Sequence, residues 1–247
     1  MPFTLENIFG VGVFGILLCN TQSEVLKAVY VAAGMLICMA AGYLLGSFSP
    51  AIWISKKHFG KDIRTQGSGN AGTTNMLRSH GKLAALFTLL GDLLKAVIAC
   101  LIGYVCRGFE GAAIAGFFAV IGHIVPIYYH FKGGKGVLVA AATLLMLDPV
   151  AFLVVIAIFV IIVSFTKFVS LASVMAALFY PLVFVRLNVG RELGIAPALA
   201  VFTTVLIVIM HRKNISRLMK GEESKISFKK KSASEKPSSD EQNKEEQ

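Results

Sequence analysis

Apolar stretches near the length needed to cross a hydrocarbon core recur along the whole chain, and they restrict its fold more than any other feature. Backbone amides cannot stay unpaired in lipid, so repeated runs of this kind fold as membrane helices. Hydrophobic residues make up 55% of the 247 residues and charged residues only 15%, which is too apolar for a soluble domain of this length. The expectation is an all-α polytopic membrane protein of about seven transmembrane helices, several of them short or tilted.

The runs fall at Val29–Ile54, Leu83–Cys106, Gly111–Tyr129, Gly136–Leu147, Val150–Phe165, Phe168–Val185 and Ala196–Met210. Small residues Gly42, Gly46, Ser47 and Ser49 in the first of them suit close helix approach. Residues 1–27 form an N-terminal extension. Its apolar stretch Ile8–Cys19 is short for a span and lacks the basic start of a signal peptide, so an interfacial helix or a poorly ordered start is expected, with an extra span as the alternative. Residues 28–217 form the membrane domain. Residues 218–247 read as a disordered charged tail, because Lys, Glu, Ser, Gln and Asn cannot bury enough surface to order themselves.

Charge then orients the chain. The formal net charge is +10, and its basic residues concentrate in three places: the loop 55–82, the turn 130–135 and the tail. With seven spans these fall on one side, which the positive-inside rule makes cytoplasmic, together with the C-terminus. Anionic lipid and anionic substrates are the partners this pattern suits. No soluble basic domain is left over to bind nucleic acid. The four cysteines form no C-x-x-C pair and no histidine lies at ligand spacing, so neither a metal nor a disulfide framework is expected.

Two glycine-rich turns fall on the same cytoplasmic side. In Gly67-Ser68-Gly69-Asn70-Ala71-Gly72 the G-x-G-x-x-G spacing carries no dinucleotide meaning, since no strand precedes it. It remains a tight turn with exposed N–H groups leading into a helix, and such a helix N-terminus favours anions. A helix opening near Ala71 aligns Thr74, Asn75 and Arg78 on one face, where Arg78 offers a bidentate contact to phosphate. A flexible loop with an N-cap at Asn70 is the plainer reading. The second turn, Gly133-Gly134-Lys135-Gly136, is not a Walker A motif: Tyr129 stands where a glycine is needed and no Ser or Thr follows the lysine. Lys135 sits among glycines in an open backbone setting, whereas Lys132 reads as a snorkelling interfacial residue.

Other polar residues are less telling. His123 on an apolar run reads as structural, while His211, followed by Arg212 and Asn214, sits at the charged interface. Ser170 and Ser173 open the sixth run on the same side. Asp92 and Lys95, three residues apart inside an apolar run, can pair with each other. No His-x4-Asp pair and no G-x-S-x-G elbow exists, so no catalytic dyad is evident.

Taken together, four ordered motifs resemble the bacterial acyl-phosphate:glycerol-3-phosphate acyltransferase family over roughly residues 35–217. They are Gly46-Ser47 through Asp62, Arg64, Gly67-Ser68-Gly69-Asn70, Gly72, Thr74-Asn75 and Arg78; Gly122-His123, Pro126 and Phe131 to Gly136; Ser170 to Ser173; and His211-Arg212 with Asn214-Ile215. The resemblance implies an inner-membrane enzyme that moves a fatty acyl group from acyl phosphate to the 1-hydroxyl of glycerol 3-phosphate, giving lysophosphatidic acid and phosphate without a cofactor. It implies catalytic roles for Ser68, Lys135, His211 and Asn214. It implies substrate binding by Gly67, Gly69, Asn70, Arg78, Gly133, Gly134, Gly136 and Ser173. The chemistry suits the residues: both substrates carry phosphate, and a mixed anhydride needs positioning and charge stabilisation more than a triad. The base is open between His211 and a donor phosphate oxygen. A transporter for an organic phosphate is the runner-up, but it would carry polar residues at the bilayer midplane or an internal repeat. A lipid-binding scaffold leaves the glycine turns unexplained.

The charge asymmetry yields a topology test. In a cysteine-free background, a single cysteine at Ser239 is expected to resist an impermeant thiol reagent in intact cells and to react after lysis. Labelling of intact cells would reverse the orientation.

Overall fold

The computed structural model describes residues 1–226; the remainder of the expected tail lies outside the described residues. Ten α-helices follow one another: α1 Leu5–Asn20, α2 Glu24–Ser47, α3 Pro50–Phe59, α4 Thr73–His80, α5 Lys82–Ile124, α6 Val137–Leu147, α7 Pro149–Thr166, α8 Val169–Leu187, α9 Ala196–Met210 and α10 Arg212–Met219. Among the described residues there is no strand.

Local sequence sets the breaks. Ser49 accepts the Ile52 N–H and Pro50 occupies the first turn of α3, so the run expected to be continuous from Val29 to Ile54 divides after Ser47. Asp148 caps α7 in the same way, accepting the N–H groups of Val150 and Ala151 ahead of Pro149. Inside α5, Arg107 and Gly108 leave the helical region, with Gly108 at φ 59°. The chain reverses there. Gly103 faces Gly111, Cys100 faces Gly116 and Lys95 faces His123, so α5 is an antiparallel hairpin of two arms.

The returning arm of α5 runs beside α2 in a second close pairing. A methyl on Gly42 would overlap the Ala115 carbonyl, one on Gly46 the Ala119 carbonyl, and one on Gly122 the Tyr43 carbonyl. Lipid gives helices no hydrophobic reason to associate, so surfaces small enough for backbone contact supply it. A core of Ala96, Ala99, Ala119, Val120, Val139, Ala142 and Ile207 then joins both arms of α5 to α6 and α9. A second core on the far side, with Leu144, Ala151, Tyr180, Phe184 and Ala196, joins α6 to α9.

Turns alternate between two ends of this bundle. One end gathers residues 60–81, 125–136, 167 and 211–226. The other gathers the reversal at Arg107, Asp148 and Asn188, the last two hydrogen-bonded side chain to side chain within 2.5 Å. Among the described residues, four stretches (24–59, 82–129, 149–166 and 169–187) are long and apolar enough to cross a membrane, or five if α9 and α10, bent by 56° to each other, count as one span. The 11 residues of α6 reach only ~16 Å at the helical rise, so α6 is short of a full crossing, as its sequence suggested.

At both ends of the chain the structure adds detail to the sequence reading. In the N-terminal extension a helix forms, and α1 packs on the α5 reversal, with Gly12 at φ 78° against the Arg107 backbone and Ile16 fully buried. The first residues of the expected disordered tail are also held in place. Ile226 donates its N–H to the Lys167 carbonyl at 2.9 Å, and the Arg78 guanidinium donates to the Ser224 carbonyl at 3.1 Å.

Because the α2–α5 contact is backbone against backbone, Gly46→Ala is expected to cost ~1–3 kcal/mol and lower the thermal midpoint of the solubilised protein. Gly10→Ala, with nothing within 4 Å of the added methyl, is the control and should leave the midpoint unchanged or raise it slightly.

Candidate active site

The four motifs meet. Ser68 and Asn70, Lys135 and Gly136, Ser170 and Ser173, and His211 and Asn214 all line one cavity of about 370 Å³ at the end where residues 60–81 and 125–136 gather. Arg78, Arg217 and Glu223 complete its polar mouth. Its deeper wall is apolar, built by Leu144 of α6, Phe152, Ile156 and Phe159 of α7, and Ala176 and Tyr180 of α8.

Asn75 organises the first turn. Its side-chain amide donates to the carbonyls of Ile63, Gln66 and Asn70 at 3.1, 3.0 and 3.0 Å, and its Oδ1 accepts the Ser68 N–H at 2.9 Å. Gly67, at φ 53°, has no room for a side chain because Asn75 Oδ1 lies against it. The helix itself starts at Thr73, two residues later than expected, with Gly72 as its cap. Gly69 donates its N–H to Gln66 and Gly72 to Asn70. These N–H groups close the turn, so the turn does not offer them to a ligand as a nest.

The second turn behaves likewise. Gly133 donates to the Ile124 carbonyl at 3.1 Å and Gly134 to the His123 carbonyl at 3.0 Å. Gly67, Gly69, Gly133 and Gly134 therefore shape the turns from behind the cavity wall, and among the turn glycines Gly72 and Gly136 reach the cavity. Arg64, paired with Asp62 at 2.7 Å, ties the two turns together by donating to the carbonyls of Tyr129 and Lys132 at 2.8 and 3.0 Å. Hydrogen bonds from the Arg64 guanidinium hold the Asp62 carboxyl well below the usual range.

A polar chain spans the mouth. Lys135 Nζ donates to Asn214 Oδ1, Asn214 Nδ2 donates to Glu223 at 2.6 Å, and Arg217 Nε donates to the other Glu223 oxygen at 2.7 Å. Burial pulls the Lys135 ammonium down to about 8; Glu223 opposes this while Arg217 and Arg78 add to it. Burial raises the Glu223 carboxyl, but the hydrogen bonds from Asn214 and Arg217 outweigh it and hold the group below its ordinary range. His211 is buried too, and with Lys135 beside it falls to about 4. Its Nδ1–H donates to the Ile207 carbonyl at 2.8 Å, which leaves Nε2 as an acceptor. Ser173 donates to Val169 within its own helix.

Several cavity residues gave no usable signal in the sequence. Glu223 and Ser224 sit in a charged tail where one glutamate resembles the next. Arg217 is recognisable only once α10 places it one turn after Asn214. Asp92 and His123 also line the cavity, the first having been read as paired with Lys95 and the second as structural. The apolar wall comes from helices whose sequence marks no inward face. Among the described residues no cluster of His, Cys, Asp or Glu is placed to hold a metal ion.

A polar, cationic mouth over an apolar pocket, set in a membrane-helix bundle, defines a class: an integral membrane protein that handles an anionic headgroup joined to an apolar chain. The comparisons place the chain within that class. A family model described as glycerol-3-phosphate acyltransferase matches residues 36–221, so the chain belongs to that family. A glycerol-3-phosphate acyltransferase of Clostridioides difficile (strain 630) is 42% identical over 201 residues, covering 79% of this chain and 97% of that protein. Glycerol-3-phosphate acyltransferase 2 of Bacillus anthracis is 39% identical over 194 residues, covering 77% and 98%. Among solved structures, the glycerol 3-phosphate form of PlsY (YgiH), an integral membrane glycerol 3-phosphate acyltransferase, is similar with a TM-score of 0.72 and 33% identity, covering 78% of this chain and 96% of that one. The lysophosphatidic acid form of the same protein gives 0.70 and 31%. Helix α1 precedes the matched residues.

Proposed function

We propose that this acyltransferase moves a fatty acyl group from acyl phosphate to the 1-hydroxyl of glycerol 3-phosphate, releasing lysophosphatidic acid and inorganic phosphate. The observation that carries the reading is the two-part cavity. Its cationic mouth fits the phosphates of both substrates and its apolar wall fits an acyl chain. The proposed setting is a bacterial inner membrane, with the mouth and C-terminus cytoplasmic.

In this reading Lys135 and Arg78 neutralise phosphate charge, and Ser68 and Ser173 add hydroxyl contacts. Asn214 orients the Lys135 ammonium. With Gly133 and Gly134 engaged in the turn, charge and side chains hold phosphate, and a backbone nest does not. The acyl carbonyl is already activated by its phosphate leaving group, so placing the hydroxyl beside it in a dry, cationic site supplies most of what is needed. The hydroxyl oxygen bonds to the acyl carbon, the acyl–phosphate bond breaks, and the hydroxyl proton must go to a base. A histidine titrating near 4 beside an ammonium is neutral at pH 7 but weakly basic. His211 Nε2 therefore suits the role of hydrogen-bond acceptor that aims the hydroxyl, and the departing phosphate oxygen that of proton acceptor.

The donor decides the reading. Purified protein is expected to turn over glycerol 3-phosphate with acyl phosphate and to show little or no rate with the coenzyme A thioester of the same chain, without added metal or ATP. A comparable rate with the thioester would overturn the phosphate assignment of the donor end.

Lys135 carries a separate prediction. Its ammonium is charged below about pH 8 and neutral above it. Because kcat/KM reports the free enzyme, kcat/KM for glycerol 3-phosphate should fall as pH rises through that value. Lys135→Arg, which keeps its charge, should lose that limb. Lys135→Ala should cost ~3 kcal/mol of transition-state stabilisation, roughly 100-fold in rate, and Lys132→Ala far less.

A further inference from the structure

Beneath the two glycine turns lie three side chains that this chemistry does not use. Asp92, Lys95 and His123 are 2%, 5% and 6% exposed. Lys95 Nζ lies 2.8 Å from Asp92 Oδ1 and 2.9 Å from His123 Nδ1, and it donates to the Phe48 carbonyl at 2.8 Å. Asp92 Oδ1 is also 3.3 Å from His123 Nδ1. An ammonium has three donors and no acceptor, so it bonds the lone pair of Nδ1 and the ring proton sits on Nε2.

Net stability is a weak reason for such a group. A buried ion pair recovers its desolvation cost only partly, and an apolar replacement often does as well. What the triad touches is more informative. The His123 carbonyl accepts the Gly134 N–H at 3.0 Å. A methyl on Gly134 would overlap His123 Nε2 and come within 2.7 Å of the Ala71 carbonyl. The imidazole therefore lies at the seam between the two motif turns, directly under the residue before Lys135. Lys95 links the same ring to Phe48, the joint between α2 and α3.

We propose that Asp92, Lys95 and His123 are positioning residues for acyl transfer. The ion pair fixes the imidazole as the seat on which Gly134 rests, and that seat sets where Lys135 presents its ammonium. This rests on the reading of Lys135 as the phosphate-binding cation.

A double-mutant cycle tests it. Asp92→Asn weakens the seat from below. Gly134→Ala lifts the turn off it while leaving the buried charges alone, at a backbone conformation alanine can adopt. Each is measured in wild type and in Lys135→Ala for kcat and KM with glycerol 3-phosphate and acyl phosphate, beside thermal unfolding. In wild type each should lower kcat/KM by up to ~100-fold, the scale of a 1 Å misplacement. In Lys135→Ala each should change it by less than about twofold, within the scatter of independent sites. The same fold-loss in both backgrounds, unchanged activity in wild type, or loss of the unfolding transition in both Asp92→Asn and Gly134→Ala would overturn the proposal and leave the triad a purely structural knot. A wild-type protein inactive with these two substrates would instead overturn the functional reading beneath it.

Discussion

The backbone contact between α2 and the returning arm of α5 is the constraint on which the rest depends. Glycines at 42, 46 and 122 bring the two helices to carbonyl contact. That closeness places the α2–α3 joint beside the turn at 125–136. Ser47 Oγ accepts the Ile127 N–H at 3.4 Å, and the Tyr43 hydroxyl donates to the Val125 carbonyl at 3.0 Å. Moving the helices apart by one methyl would break these bonds together, because packed helices shift as units. The two glycine turns share a cavity because their supporting helices cannot separate.

A second constraint follows from burial. Irregular backbone packed against the bundle must satisfy its own polar groups. This explains why the turns of the site are so self-bonded: Asn75 serves the turn at 63–72, and the end of α5 serves 133–134. The same rule redirects the glycines. They were read as a source of free N–H groups for phosphate, but in a recessed turn those groups are needed by the fold. In the function proposed above, phosphate recognition falls instead to Lys135, Arg78 and the hydroxyl side chains, which reach the cavity without uncovering backbone.

Much of the architecture was legible in the sequence for a simple reason: apolar runs broken by Asp-Pro and charged turns admit few foldings in a bilayer. The runs from Leu83 onward correspond closely to helices or helix arms. The division at Ser49-Pro50 was missed because apolar residues continue through it and hide a helix start in plain composition. The placing of α1 depends on Gly12 fitting over the Arg107 reversal, a contact across about a hundred residues that no local pattern encodes. The site shows the same split. Residues in glycine turns and at Asn214 or His211 stand out against an apolar background. Arg217 and Glu223 are charges among charges, and their part in the mouth exists only through α10 and the irregular segment that follows it.

The electrostatics of the mouth join these threads. Four cationic or titratable groups, Lys135, Arg78, Arg217 and His211, crowd one cavity wall, and repulsion alone would weaken it. Glu223 relieves part of that repulsion, holding Asn214 and Arg217 at once. Lys135 bonds Asn214 at its neutral amide, so its ammonium faces the cavity without a carboxylate to neutralise it. Burial pulls the Lys135 ammonium down to about 8 and the His211 imidazolium down to about 4, and the neighbouring cations add to both shifts. In the function proposed above, an anionic substrate entering the mouth would supply the missing negative charge and strengthen the protonated form of Lys135 as it binds. In such a site the affinity for phosphate and the protonation of Lys135 are one linked equilibrium.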